Sequence, residues 1–232
     1  MINSQEQRSP EVLSPEVLNP EVYEGQFGTF VIEKSDRQDV ILYRAGLAVA
    51  ALSFAVAACI VLLSGNTHTQ TATQISTLCY GIMWLALGLS FQKIHIYLRP
   101  LHQALKVFWV IGGIASLVFA LYYAEPLALT AYEQPLTIFG IGFTFAALTG
   151  IFFKEAFCFN RFETKFLVVL VPSLLLGHML GWLSLGTEKS MLAAWALLFA
   201  VFAVRKVIQP IPPDIGDKSV FEYLKQQREQ TA

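Results

Sequence analysis

The sequence predicts an all-α, polytopic membrane protein: a bundle of six transmembrane helices with the N and C termini both cytoplasmic. Three observations carry this reading. Of 232 residues, 55% are apolar and 14% charged, where soluble domains average roughly 25% charged. Six apolar runs reach the length of about 18 residues needed to cross a hydrocarbon core roughly 30 Å thick. Finally, Lys and Arg fall on one side of the resulting layout with a single exception, and the Lys/Arg-rich side is the cytoplasmic one.

Residues 1–22 read as a disordered, proline-rich arm. The imperfect repeat SPEVL-SPEVL-NPEVY places a proline every fifth residue, and proline's missing amide and restricted predecessor suit neither a helix nor a central strand. Residues 23–39 read as a short juxtamembrane segment, in which YEGQFGTFVIEK alternates well enough for a short strand or hairpin. The first forty residues lack an apolar h-region, so the first span is expected to act as its own insertion signal.

Residues 40–208 form the transmembrane domain, with spans expected at Val40–Ser64, Ile75–Gln92, Leu105–Tyr123, Leu136–Phe153, Phe166–Leu183 and Met191–Ile208. Arg8, Lys34, Arg37 and Arg44 precede or open the first span. Lys93, Arg99 and Lys106 lie between the second and third, and Lys154, Arg161 and Lys165 between the fourth and fifth. Arg205, Lys206, Lys218, Lys225 and Arg228 close the chain, and only Lys189 falls on the other side. Arg44, one turn inside its span, is expected to snorkel to the surface. Tyr43, Tyr97 and Trp109 are expected at the inner interface, and Tyr80, Tyr122, Tyr123 and Trp182 at the outer one. Gly142, Ala146 and Gly150 recur every fourth residue and suggest a close-packing helix face, within the bundle rather than between copies.

In residues 209–232, QPIPPDIG breaks the last helix. SVFEYLKQQREQ then offers a short amphipathic helix, with Ser219 and Glu222 spaced as a capping box.

The segments GIFFKEAFCFNRFETK (Gly150–Lys165) and VYEGQFGTFVI (Val22–Ile32) resemble the uncharacterised integral membrane protein family called domain of unknown function 2301. The likeness runs from about Val22 to Ile208. It implies a cyanobacterium or plastid-bearing organism and a thylakoid or plasma membrane, and it brings no substrate and no catalytic residues.

Candidate chemistry is sparse. Lys154, Glu155, Cys158, Arg161 and Glu163 form a charge-dense cluster at the end of the fourth span. Glu155 and Cys158, three residues apart, would share a helix face. Together with His95 or His102 they could ligate a metal, but no metal-binding spacing is present and paired surface charges are the expectation. His178 is the one histidine inside a span, read as a hydrogen-bonded packing residue with a pigment or haem ligand or a proton relay as the sharper alternative. No cofactor is predicted otherwise. Cys59 and Cys79, each about a turn from the outer end of its span, could face one another, with free buried thiols the default. No GxSxG occurs, no serine, histidine and acid recur at a common depth, and Gly112–Gly113 and Gly140–Gly142 lie inside spans. Thr130, Thr137, Thr144 and Thr149 are the hydroxyls expected to serve any polar cavity.

A net charge of −1 argues against nucleic acid as a partner. The bilayer and a membrane protein complex are the partners expected. The leading function is therefore a non-catalytic binding, scaffold or assembly factor of a photosynthetic membrane. The alternative is a small transporter or channel for a neutral or weakly charged solute. An intramembrane enzyme using Glu155 or His178 ranks third.

Overall fold

A computed structural model describes residues 21–64, 69–96 and 99–231; the proline repeat, Arg8, His68 and Tyr97 lie outside the described residues. The chain opens with an antiparallel hairpin, β1 (Val22–Gly25) and β2 (Gly28–Val31), in register Val22↔Val31 and Gly25↔Gly28. Six helices long and apolar enough to span a membrane follow. They are α1 (Lys34–Leu63), α2 (Gln70–Lys93), α3 (Arg99–Tyr122), α5 (Ile138–Phe159), α6 (Phe162–Met179) and α7 (Leu185–Ile208). A short helix that the sequence did not announce, α4 (Leu127–Glu133), and a 3₁₀ turn over Pro135–Thr137 lie between α3 and α5. After α7 come a single turn, α8 (Pro212–Ile215), and α9 (Lys218–Thr231).

The six spans close into a ring in the order α2, α1, α7, α6, α5, α3, with α4 seated on α2. Phe54, Met83, Phe91, Leu148, Phe152 and Phe199 fill its centre, while residues such as Leu52, Leu85, Leu117 and Val169 turn outward, as lipid-facing positions do. Local signals set the ends. Glu33 and Asp36 form a capping box on α1, the Thr69 and Ser184 hydroxyls cap α2 and α7, and Asn160 ends α5 in the left-handed conformation.

Close approach depends on small residues. A Cβ on Gly46 would stand 2.6 Å from the Ala86 carbonyl, and one on Gly112 would stand 2.4 Å from the Thr144 amide. These two glycines set the α1–α2 and α3–α5 contacts. The expected stripe on α5 is divided: Gly150 abuts Leu105, whereas a Cβ on Gly142 would meet only Ile138 Cγ2 at 3.4 Å. Trp84 and Trp109 stack at 4.4 Å, and each indole donates to the other's carbonyl, at 3.0 and 2.8 Å.

Two of the expected interfacial tyrosines are interior. Tyr43 is buried, and Tyr80 bonds the hydroxyls of Ser116 at 2.6 Å and Thr144 at 2.9 Å. A tyrosine whose hydroxyl finds an internal partner no longer needs the headgroup region. The capping box expected at Ser219 is also displaced. Asp217 precedes α9 and accepts from the Ser219 amide at 2.9 Å, the Ser219 hydroxyl at 2.6 Å and the Gln26 amide at 2.6 Å. Phe27 stacks on Tyr223 at 4.0 Å, so the hairpin and α9 clasp each other. This clasp, α8, the N-terminal end of α1 and the C-terminal end of α7 share one end of the bundle, the termini end.

Candidate functional site

Two polar assemblies stand at opposite ends of the ring. At the termini end, Lys206 of α7 is 1% exposed and donates to Glu155 Oε2 at 2.6 Å and to Asp214 Oδ1. Arg44 of α1 donates through Nε and Nη2 to Asp214 Oδ2, at 2.8 and 2.6 Å, and through its other protons to the Gln209 and Pro210 carbonyls. Glu155 Oε1 accepts from the Tyr43 hydroxyl at 3.0 Å and from Lys154 at 2.9 Å. A second pair of groups adjoins these: Glu163 lies 2.8 Å from Arg205, and Arg161 donates to the Gln209 side chain.

The proline-rich stretch explains how this forms. Two prolines open α8 and turn the chain back under the bundle, so Asp214 points up between α1 and α7. Buried charges persist only when paired and hydrogen-bonded; Glu155, Asp214, Arg44 and Lys206 all are, while Arg161 Nη1 and Glu163 Oε1 face each other at 3.8 Å without a hydrogen bond. The assembly ties α1, α5, α7 and α8 together at that end. Beside it, in the stretch after α2, burial holds the His95 imidazole below its usual range, with Asp36 and Asp39 opposing.

At the opposite end lies a cavity of about 460 Å³, within the size range of small-molecule sites. Its wall is mainly apolar, including Ala72, Ile141, Phe145, Leu174 and Leu192, and its polar residues are few: Ser64, Thr73, Ser76, Tyr132, His178, Glu188 and Lys189. His178 Nδ1 lies 2.7 Å from Glu188 Oε1, and Nε2 lies 3.2 Å from the Tyr132 carbonyl. Both partners are acceptors, so both bonds form together only when the ring carries two protons. The Tyr132 ring stacks on the imidazole at 5.2 Å. Ser76 is 6% exposed, and its hydroxyl has no hydrogen-bond partner among the described residues. A buried, unpaired hydroxyl in a cavity wall is a donor awaiting an acceptor.

The residues singled out in the sequence are thus partly brought together. Lys154 and Glu155 meet, as do Arg161 and Glu163 at 3.8 Å. Glu155 is wholly buried among Tyr43, Lys154 and Lys206, whereas Cys158, three residues on, is exposed. His102 bonds the Phe91 carbonyl instead of joining them. Arg44 does not snorkel; with Asp214 and the carbonyls after α7 within reach, pairing inward replaces hydration. Cys59 and Cys79 are free, one exposed and one buried.

The four threonines expected to serve a cavity do not line this one: Thr130, Thr137 and Thr149 donate to carbonyls one turn back, and the Thr144 hydroxyl bonds that of Tyr80. A serine, a histidine and an acid do share one depth, as Ser76, His178 and Glu188. Both ring nitrogens of this imidazole are engaged, Nδ1 with Glu188 and Nε2 with the Tyr132 carbonyl. Sequence reasoning missed Asp214, Lys206 and Ser76. The available signal for the first two was one charge on each of several helices at a single depth below the termini end.

The family described as "Uncharacterized integral membrane protein (DUF2301)" matches residues 89–223, more than half of the chain. Neither a curated protein nor a solved structure matches it.

Proposed function

Because the chain belongs to the DUF2301 family of integral membrane proteins, we propose a role inside the bilayer itself: a carrier for a small, mainly apolar molecule with one polar group. One observation carries this reading. The cavity opposite the termini end is apolar in most of its wall, yet it holds the unpaired Ser76 hydroxyl beside the His178–Glu188 pair. A ligand with a hydrogen-bond acceptor at one end would satisfy Ser76 and bury the rest of its surface against apolar side chains. A scaffold or assembly factor needs no such cavity, so of the two functions expected from sequence this favours transport of a weakly charged solute.

The ion-paired end supports the same reading, since a carrier exposes its site to one side at a time. By the Lys/Arg asymmetry the ion-paired end faces the cytoplasm, and by the family resemblance the membrane is a thylakoid or plasma membrane. The test is purification in mild detergent, followed by organic extraction and mass spectrometry. Wild-type protein is expected to carry a stoichiometric small molecule that Ala72→Trp, which fills the cavity, loses. Identical extracts from both proteins would overturn the proposal.

A further inference from the structure

A second cavity of about 350 Å³ adjoins the first and shares Ile138, Gly142, Phe145 and Leu175 with it. It runs between α5 and α6 along Ala146, Thr149 and Pro172. Its rim residues Phe139 and Leu176 are 68% and 50% exposed on the outer surface of the ring, the surface that lipid covers. Two features keep this passage open. Gly142 lacks the side chain that would close it, and nothing but Ile138 Cγ2 lies within 4 Å of a Cβ placed there. Pro172, inside α6, removes one backbone donor and pushes away the preceding turn.

The geometry points to a single-chain lipid with a small hydrogen-bond-accepting head as the ligand. Its head would enter the first cavity and its chain would lie in the groove past Gly142. This rests on the carrier reading and narrows it to a substrate class and a route. Along the path the chemistry changes in the order such a molecule needs. Lys189, the His178–Glu188 pair and the Ser76 donor line the inner chamber. Beyond Gly142 the groove is apolar, with the Thr149 hydroxyl already given to the Phe145 carbonyl. A water-soluble solute gains nothing from an apolar side passage to the bilayer, whereas a lipid chain transferred there from lipid loses no apolar contact. Lys189 and the His178–Glu188 pair leave the chamber suited to a hydrogen-bond-accepting head that is uncharged or singly anionic, such as a carboxylic acid.

The test uses full-length protein in phosphatidylcholine nanodiscs with two probes. One is hexadecanoic acid carrying a diazirine near its chain end; the other is a water-soluble methanethiosulfonate reagent acting on Ser76→Cys with the native cysteines replaced. The fatty acid is expected to label the groove at Thr149, Leu176 or Met179 saturably, and to slow Ser76→Cys modification. Gly142→Phe, whose ring would fill the passage, is expected to lower groove labelling about tenfold with an unchanged melting temperature, and Ala146→Phe provides a second plug. Ser76→Ala is expected to weaken binding roughly three- to tenfold.

Ser76→Cys that reacts readily but is not protected by the fatty acid would overturn the lipid assignment and leave the carrier reading standing. Labelling equal in wild type and both plugged variants would overturn the lateral route. Absence of both modification and labelling would overturn the carrier reading itself.

Discussion

Replacing Asp214 by Asn is expected to cost about 3–5 kcal/mol of bundle stability, and replacing Lys206 by Met to cost less, about 1–3 kcal/mol. The difference follows from the charge count. Glu155 and Asp214 face Arg44, Lys154 and Lys206, so two carboxylates meet three cations, of which Lys154 lies nearest the surface. Lys206→Met leaves two against two: Glu155 keeps Lys154 and the Tyr43 hydroxyl, and Asp214 keeps the Arg44 fork. Asp214→Asn leaves one carboxylate against three cations, two of them buried. In the double variant one carboxylate faces two cations, so its cost is expected to fall short of the sum of the single costs by about 1–2 kcal/mol. The assay is reversible unfolding in mixed micelles by increasing sodium dodecyl sulfate, followed by helical circular dichroism. A cost for Lys206→Met equal to or above that for Asp214→Asn, or strict additivity in the double variant, would refute the charge-balance argument.

Gly112→Ala is expected to destabilise the bundle by about 1–3 kcal/mol through overpacking against the Thr144 backbone, while Gly142→Ala stays within about 0.5 kcal/mol of wild type or gains slightly; the same unfolding assay ranks the two. His95 is held below its usual imidazole range by burial, so the unfolded chain binds the proton more readily than the folded one. Stability is therefore expected to fall as pH drops below about 6.5, and His95→Asn should flatten that slope in melting temperatures taken from pH 7.5 to 5. Asp217→Ala removes the acceptor shared by Gln26 and Ser219. It should speed hydrogen exchange at the Gln26 and Phe27 amides and leave the six spans protected.

The spans were legible because length and hydropathy report directly on the bilayer. Several edges moved outward because helices continue past the hydrocarbon: α1 begins at Lys34, not Val40, through the Glu33–Asp36 box, and α3 begins at Arg99, not Leu105, whereas α6 stops at Met179, short of Leu183. The charged cluster was half legible. Lys154 and Glu155 could be named, but sequence gives the depth of a residue and not its bearing around the helix, so Arg44 read as a charge reaching outward and Lys206 only as one of the charges that close the chain. Asp214 lies in a stretch that reads only as a helix break, and it matters because two prolines fold that break back as α8. The cavity was illegible for a different reason. Its walls are ordinary apolar span residues, and Glu188 counted as loop until the start of α7 at Leu185 placed it one turn inside a helix beside His178.

The two ends of the ring constrain how such a carrier could work. If the ligand crossed to the termini end, the bonds of Lys206 and Arg44 would have to part. At about 3–5 kcal/mol for a broken buried pair, that end would open roughly a hundred to several thousand times less often than an unpaired one. Weakening the network by Asp214→Asn should then raise the rate of release at that end while lowering stability. If exchange instead runs sideways through the passage at Gly142, the network never opens during turnover. Asp214→Asn would then lower stability without changing the rate, and Gly142→Phe would stop exchange while leaving stability alone. Measured together in liposomes loaded with labelled hexadecanoic acid, the two substitutions therefore give opposite patterns for the two routes. The space beside Gly142 and the ion pairs at the other end favour the second.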